Sequence, residues 1–224
     1  MKGIPPKTEK VLNQLSGFDC IKPYTMIGGT ALSLQINHRL SEDIDFCRWK
    51  TGKSERHRVN CSLIEKELVQ IGNFKKDIIS DDQVDYVVND VKVSFYCNNL
   101  NKQPSGMQTV QIKDNLKIAD IHSIGVMKLE VMLRRSTFRD YYDIYSIVKA
   151  EGDLNVIIDR ALKYSNHRLR TRDILSMLSD STRFRSDISL VHLSPKYDIT
   201  ANDIEIFLRP YLKNYNTFKV KESN

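Results

Sequence analysis

Residues 26–46 read MIGGTALSLQINHRLSEDIDF, and this stretch decides the fold that we expect. A short apolar run, residues 24–27, predicts a strand, and Gly28-Gly29 directly after it predicts a tight turn. Residues 30–37 have the composition of a short helix. Residues 43–49 alternate between polar and apolar side chains, as a second strand does. The stretch therefore predicts a strand, a glycine turn, a helix and a second strand in succession.

The glycine turn has the features of an anion-binding site. Gly28 and Gly29 allow the backbone to approach a ligand closely, because they carry no side chain. The N–H groups and the dipole at the start of the following helix favour a phosphate, and Thr30 adds a hydroxyl there. A Gly-Gly pair alone is commonly just a turn. The phosphate hypothesis therefore depends on what lies beside it.

Two acids begin the second strand. Asp43 and Asp45 are two residues apart, so their side chains leave the same face of a strand. Neighbouring carboxylates repel each other unless a cation lies between them, and Mg²⁺ prefers one or two carboxylates plus substrate phosphates. An Asp-x-Asp pair occurs often by chance. Its combination with a glycine turn in one strand–helix–strand unit is more specific, and predicts a site for a metal ion and a nucleoside triphosphate.

The order of the remaining elements indicates an α+β fold. A long helix is predicted at residues 54–71, followed by strands at 77–80, 83–88, 91–97 and 108–112, with Asn89-Asp90 as a turn. After residue 119 only helices are predicted, at 120–135, 139–150, 154–164, 171–178 and 201–212. We expect a mixed sheet flanked by helices in a core of residues 1–119, and a helical C-terminal domain of residues 120–224.

A second cluster of charged residues falls in the predicted helical part. Lys128 shares a helix face with apolar residues, and an inward-facing lysine needs an anionic partner. Asp140 and Asp143 are three residues apart on the next predicted helix, so both face the same side. Two interpretations stay open. The three residues form an internal ion cluster that joins two helices, or Lys128 contacts phosphate and an acid completes a catalytic site.

Composition limits the class of protein. The 224 residues are 41% hydrophobic and 28% charged, as in ordinary globular proteins. No stretch approaches the roughly 18 to 20 apolar residues that a membrane helix requires, so we expect a cytoplasmic protein. The four cysteines lack the spacing of a zinc site and are expected to be free thiols.

The net charge of +6 suits a partner that carries phosphates, although such a charge alone is weak evidence. Several basic residues fall in one C-terminal stretch, which is compatible either with a solvated helix face or with a surface for nucleic acid or an acidic protein. They are Lys163, His167, Arg168, Arg170, Arg172, Arg183 and Arg185.

Three motifs occur in an order typical of one family: GGTAL at 28–32, HRLSEDIDF at 38–46 and KLEVMLRRSTFRDYYDIY at 128–145. This order resembles the AbiEii/AbiGii-type toxins, a branch of the DNA polymerase β-like nucleotidyltransferases. The resemblance spans about residues 24–148, over half of the chain. It implies the polymerase β-like fold, with the helical C-terminal part contributing to the active-site cleft.

The resemblance also implies roles for individual residues. Gly28, Gly29 and Thr30 would hold the triphosphate, and Asp43 and Asp45 would hold Mg²⁺ or Mn²⁺. The loop with His38, Arg39 and Ser41 would close on the site, with Arg39 and Ser41 binding nucleotide. Lys128 would meet the phosphates, and Asp140 or Asp143 would complete the active site.

The activity implied is transfer of a nucleoside monophosphate from a nucleoside triphosphate to a hydroxyl. Members of the family are toxins of toxin–antitoxin or phage-defence systems, and some modify tRNA, so tRNA or another RNA and a cognate antitoxin are the expected partners. Two alternatives stay open: a catalytically degenerate protein that binds nucleotide or a partner, and a transferase that acts on a small molecule or a protein.

One position departs from the family pattern. Polymerase β-like transferases usually carry a third carboxylate on a neighbouring strand, often as the general base. In the predicted strand 91–97, Lys92, Ser94 and Tyr96 share the outward face, and Ser94 cannot serve as a carboxylate ligand. Asp85 and the two acids of the 139–150 helix are the candidates to replace it, unless two acids suffice.

Overall fold

The computed structural model describes residues 1–52, 54–166, 168–184 and 188–222. The chain divides into two compact units, residues 1–124 and residues 125–224.

The first unit is built on a mixed sheet. In the described part of the chain its strands are β1 (Thr25–Ile27), β2 (Ile44–Trp49), β3 (Phe74–Ser80), β4 (Gln83–Val88), β5 (Val91–Asn98), β6 (Thr109–Lys113) and β7 (Leu116–Ala119). Their order across the sheet is β3-β4-β5-β2-β1-β7-β6. The pairs β2–β5 and β1–β7 are parallel, and the other neighbours are antiparallel.

One face of the sheet carries an aromatic core. Phe46 on β2 stacks on Phe95 of β5 with ring centroids 5.3 Å apart, and Tyr24 and Tyr86 meet Phe95 edge-on. Side chains alternate between the two faces of a strand, so Asp45 lies on the face opposite Phe46. The helices of this unit are α1 (Pro6–Leu15), α2 (Gly28–Ile36) and α3 (Cys61–Leu68), with a 3₁₀ turn at Asp19–Ile21.

The second unit is helical. Helix α4 (Ile121–Met132) begins before the division at residue 124 and continues into this unit. The other helices of the unit in the described residues are α5 (Phe138–Glu151), α6 (Leu154–Tyr164), α7 (Thr171–Leu178), α8 (Ile188–His192) and α9 (Ala201–Glu222), with a 3₁₀ turn at Ser181–Arg183. Tyr141 and Tyr142 on α5 are fully buried. Tyr141 stacks on Phe184 at 4.1 Å, and the Tyr142 hydroxyl accepts a hydrogen bond from the backbone N–H of Tyr197. These aromatic rings therefore form the core of the unit.

The prediction of an α+β fold with a mixed sheet is confirmed. The turn between β4 and β5 lies at Asn89-Asp90, where both residues have positive φ angles, as the tight turn of a hairpin requires. Strand β7 and the short helix α8 were not predicted.

The helix predicted at residues 54–71 is wrong in its first half, since α3 begins only at Cys61. Residues before it are held in a loop by side chains. Glu55 accepts hydrogen bonds from the backbone N–H groups of Thr51 and Gly52, and Asn99 bonds both the N–H and the carbonyl of His57. Those backbone groups are unavailable to a helix, and the Asn60 side chain then caps the start of α3.

Within the described residues, no helix has both the length and the apolar character needed to cross a membrane.

Candidate active site

The candidate site begins where β1 meets α2. Gly28 has φ +78°, a left-handed conformation that residues with a side chain rarely adopt. A Cβ atom at Gly28 would lie 2.7 Å from Oδ2 of Asp45, which is closer than real contacts allow. Ile27 pairs with Asp45 across β1 and β2, and this register places the carboxylate directly over the turn. Glycine is thus required here for two independent reasons.

The next residue, Gly29, also has a close polar neighbour. A Cβ atom there would lie 2.5 Å from Nη2 of Arg39 and 2.9 Å from Oγ of Ser41. Arg39 and Ser41 are both buried, at 4% and 7% exposure. Helix α2 begins at Gly28, and the side chain of Ile27 provides no cap for it. The start of the helix therefore combines the N–H groups of its first turn with a nearby guanidinium, both of which favour an anion.

The middle of the loop that joins α2 to β2, at residues 38, 39 and 41, is buried, and the loop is anchored on several sides. The hydroxyl of Thr30 donates to the backbone carbonyl of Asp43 and lies 3.0 Å from Oγ of Ser41. Thr8 donates to the carbonyl of Glu42, and the N–H of Ser41 donates to the carbonyl of Gly3. Thr30, fully buried, thus uses its hydroxyl to fix the loop. The polar sequence of the loop gave no sign of this burial.

Asp43 and Asp45 both lie near the cation of Lys92. The pKa of Lys92 is raised above its ordinary value chiefly by a hydrogen bond to Asp85, and the charges of Asp43 and Asp45 raise it further. Asp43 is exposed and Asp45 is half-buried. The two acids are therefore accessible and close enough to one ammonium group to share its field. Sequence analysis placed Lys92 on this face but did not identify it as their neighbour.

A polar row crosses the sheet next to these acids. Asp45 on β2 pairs with Ser94 on β5, and Ser94 pairs with Asp85 on β4. Nζ of Lys92 lies 2.7 Å from Oδ2 of Asp85. Burial alone would raise the pKa of Asp85, but hydrogen bonds from Lys92, Gln83 and Ser94 outweigh it and hold the pKa below its usual value.

This row bears on the missing third carboxylate. On β5, the strand next to Asp45, the paired position is occupied by Ser94. Asp85 lies one strand further away on β4, so at the usual strand spacing its backbone is about 10 Å from that of Asp45. Asp85 also has its charge compensated by Lys92. A carboxylate with a lowered pKa is a poor proton acceptor, so the position of Asp85 favours a role in holding Lys92.

The donor set suits a magnesium ion that also binds substrate. Asp45 on β2 and Asp43 directly before that strand lie beside a helix start that favours phosphate, which matches the preference of Mg²⁺ for one or two carboxylates plus phosphate oxygens. Among the described residues, no group of three or more His, Cys, Asp or Glu side chains is arranged to hold a metal ion by itself. The residues present therefore fit a metal that arrives with a triphosphate.

Lys128 of the second unit lies in a compact ion cluster. Its Nζ is 2.6 Å from Oδ1 of Asp140 and 2.7 Å from Oδ2 of Asp143. Both acids are almost completely buried, at 1% and 0% exposure. Asp140 also accepts hydrogen bonds from Arg135 at 2.9 Å and from the hydroxyl of Thr137 at 2.6 Å. Two cations and two carboxylates thus balance one another between α4 and α5.

The electrostatics of Asp140 follow from this cluster. Burial alone would raise its pKa, but Lys128, Thr137 and Arg135 together lower it below the ordinary value of 3.8. Every oxygen of the carboxylate already has a donor. This geometry is that of an internal ion cluster, which is one of the two interpretations that the sequence allows. A direct catalytic role for Lys128, Asp140 and Asp143 stays a prediction.

The C-terminal basic stretch is largely neutralised within its own unit. Arg168 lies 3.3 Å from Glu130, Arg170 and Arg172 approach Asp173, and Arg183 lies 3.4 Å from Asp180. His167 and Arg185 lie outside the described residues. An arginine that already has a carboxylate partner offers less charge to a nucleic acid, so this surface is a weaker candidate for RNA than the sequence indicated. The four cysteines are free thiols, as predicted.

Two solved structures from Helicobacter pylori are similar to the chain. One is a presumed nucleotidyltransferase (TM-score 0.55, 17% identity, 94% of this chain and 93% of that chain), and the other is JHP933 (TM-score 0.53, 18% identity, 96% and 93%). At such low identity, the likeness establishes the fold.

The family is established by sequence. Residues 10–217 match the model of the family described as nucleotidyl transferase AbiEii toxin, type IV toxin–antitoxin system. The chain belongs to this family, and it is a nucleotidyltransferase. The uncharacterised protein aq_aa25 of Aquifex aeolicus is 21% identical over 154 residues, which cover 68% of this chain and 70% of that protein. The resemblance stated from the three motifs is thereby confirmed.

Proposed function

We propose that the protein transfers a nucleoside monophosphate from a nucleoside triphosphate to a hydroxyl group, in a reaction that depends on Mg²⁺ or Mn²⁺. The single observation that carries the proposal is the contact of Asp45 with Gly28, which brings a carboxylate to the start of α2. The N–H groups of Gly28 and Gly29 bind the triphosphate, and Arg39 lies beside them to offset its charge. Thr30 and Ser41 hold the loop in place.

Asp43 and Asp45 would be the ligands of the metal ion. The bound ion supplies positive charge that neutralises the phosphates and the charge developing on them. In the reaction, the acceptor hydroxyl gives up its proton to water as its oxygen forms a bond to the α-phosphorus, the bond from that phosphorus to the bridging oxygen breaks, and pyrophosphate leaves with the electron pair of that bond. The contribution of the protein is to align these groups and to neutralise their charge before the reaction.

The acceptor and the biological setting belong to the same proposal. The family description names a type IV toxin–antitoxin system. We therefore propose an RNA acceptor, with tRNA as the first to test, and a cognate antitoxin as protein partner. A role in phage defence and a cytoplasmic location follow from the same assignment.

The test is transfer of label from each of the four nucleoside triphosphates, labelled at the α-phosphate, to total tRNA in the presence of Mg²⁺. The proposal predicts labelled RNA with the wild type and no label with Asp45→Ala. Asp77→Ala is the matched control. Asp77 is an exposed acid on β3 of the same sheet, where it pairs with Asp85 of β4, and its replacement should leave transfer unchanged. Nucleotide binding without transfer to RNA, protein or small hydroxyl compounds would contradict the proposed activity.

A further inference from the structure

A polar cavity lies in the first unit, at the end of β1 and β2 away from the glycine bend. Its volume is about 410 Å³, within the range of sites for small ligands. Thr25 at the start of β1 and Trp49 at the end of β2 line it. Asp45 stands four residues before Trp49, a distance of about 13 Å along a strand. The cavity is therefore separate from the glycine bend.

The lining of this cavity is strongly basic. Arg48, Lys50, Lys102 and Lys117 contribute four cations, and no Asp or Glu is among the lining residues. None of the four makes an ion pair within the part of the chain that the structure describes. Four like charges around one cavity repel one another, and an anion in the cavity removes that repulsion. The charge of the cavity thus favours a ligand with several negative charges.

The contrast with the C-terminal arginines supports this assignment. Arg168, Arg170 and Arg183 each have a carboxylate within 3.4 Å, whereas the cations of the cavity have none in the described residues. Charge that is not already compensated is what releases counterions from a nucleic acid. Four cations without a carboxylate partner in the described residues therefore line this one cavity.

The type of donor indicates the type of ligand. A single fixed phosphate is best held by rigid backbone N–H groups, as at the start of α2. Three of the cations here are lysines, which are point charges on flexible stems, and cations of this kind neutralise the phosphates of a nucleic-acid backbone without a fixed geometry. Lys102 is exposed, Lys50 and Lys117 are half-buried, and they come from three separate segments of the chain.

We propose that this cavity binds the phosphodiester backbone of single-stranded RNA. The proposal deepens the proposed function, because it rests on RNA as the acceptor, and it gives the acceptor strand a binding site apart from the glycine bend. The lysines contact phosphates without reading the bases, so binding through this cavity is independent of sequence.

The experiment measures the anisotropy of a labelled 12-nucleotide single-stranded RNA, with EDTA present so that a bound metal ion does not contribute. The variant replaces Lys50, Lys102 and Lys117 together by alanine. We expect its affinity to fall at least tenfold at 50 mM salt. The slope of log K against log salt should decrease by about 2, since each phosphate contact on a single strand contributes about 0.7.

A charge-matched control separates the cavity from net charge. Lys10, Lys66 and Lys75 are exposed lysines elsewhere in the same unit, and their triple replacement by alanine removes the same charge. The control should lose less than threefold in affinity. Equal losses in the two variants, or RNA binding unaffected by the cavity variant, would overturn the proposal. Tighter binding of inorganic triphosphate than of RNA at the cavity would overturn it as well.

Failure of this proposal is distinguishable from failure of the proposed function. Binding of a magnesium–nucleoside triphosphate should be the same in the cavity variant as in the wild type, because the variant leaves Gly28 and Asp45 unchanged. If the nucleotide binds and is transferred but the cavity variant binds RNA normally, only the cavity proposal fails. If RNA binds through the cavity but no transfer occurs, only the proposed function fails.

Discussion

A carboxylate oxygen of Asp45 packs directly on Gly28, in the place that a side chain at residue 28 would occupy. Gly28 begins α2 directly after β1, Asp45 lies on β2, and the pairing of Ile27 with Asp45 sets their approach. This contact brings an acid to the start of α2. It also makes the geometry of the candidate site depend on a residue that has no functional group of its own.

Replacement of Gly28 by alanine is the first test of this contact. The φ angle of +78° costs about 1–2 kcal/mol for a residue with a Cβ atom. The new methyl group would also displace the carboxylate of Asp45. We expect a small loss of stability in chemical denaturation, and a loss of transfer activity of at least about 100-fold, since misplacement by about 1 Å suffices for that.

Gly152→Ala provides the matched control. Gly152 has the same φ of +78° at the end of α5, but nothing lies within 4 Å of where its Cβ atom would be. Gly152→Ala should therefore show the same loss of stability and retain activity. Equal activity of the two variants would refute the importance of the contact between Gly28 and Asp45.

Lys92 is expected to oppose metal binding in the free protein. Its cation faces Asp43 and Asp45 as well as Asp85. Because an ammonium group and a metal ion repel each other, Lys92→Met should raise the affinity for Mn²⁺ at least severalfold. Titration with Mn²⁺, followed by electron paramagnetic resonance of the free ion, measures this.

Lys75→Met is the control for that measurement. Lys75 is exposed on β3, two strands away from β5, and its removal changes the net charge equally. It should leave the affinity for Mn²⁺ nearly unchanged. Weaker Mn²⁺ binding in Lys92→Met would show that the lysine supports the site rather than competes for it.

Loss of Lys128 should destabilise the second unit. Lys128→Met leaves the buried carboxylates of Asp140 and Asp143 without their shared cation, which typically costs about 3–5 kcal/mol. Denaturation followed by far-ultraviolet circular dichroism measures the loss. Lys163→Met, at an exposed position near the end of α6, should stay within about 0.5 kcal/mol of the wild type. Intact stability with abolished transfer would instead favour contact of Lys128 with phosphate.

The ion cluster of Lys128, Asp140 and Asp143 also predicts that the stability of the protein depends on pH. The pKa of Asp140 is lower in the folded protein than its ordinary value of 3.8. The ionised carboxylate therefore stabilises the fold at every pH above that value, and this contribution is lost as the pH falls through the lowered pKa. Thermal unfolding should show a decline in stability below about pH 4 that is smaller in Asp140→Asn. An equal decline in both proteins would exclude Asp140 as its source.

The sequence predicted the elements around the site because its local signals agree with the tertiary structure. Gly28-Gly29, the helix after it and the alternation in residues 43–49 each specify a conformation over a few residues. Asn89-Asp90 marks a hairpin for the same reason, since both residues tolerate positive φ. Local signals of this kind need no knowledge of distant contacts.

Other features depend on contacts between distant residues and were beyond sequence analysis. Asn99 holds residue 57 in a loop, and this contact keeps the first half of the helix predicted at 54–71 from forming. Burial of Arg39 follows from its packing against Gly29 and not from its own polar neighbours. Asp85 reaches Lys92 only because β4 and β5 pair in one register. Each of these contacts joins segments whose spacing in the sequence carries no periodic signal.

Isothermal titration calorimetry of a nonhydrolysable nucleoside triphosphate analogue, with Mg²⁺ and with EDTA, shows whether a metal ion joins Asp45 to the triphosphate. Asp45→Asn is compared with the wild type and with Asp77→Asn, which makes the same change of charge elsewhere on the sheet. We predict that Mg²⁺ strengthens binding at least tenfold in the wild type and in Asp77→Asn, and has little effect in Asp45→Asn. An affinity that changes neither with Mg²⁺ nor with the substitution at Asp45 would contradict a metal–triphosphate site at the glycine bend.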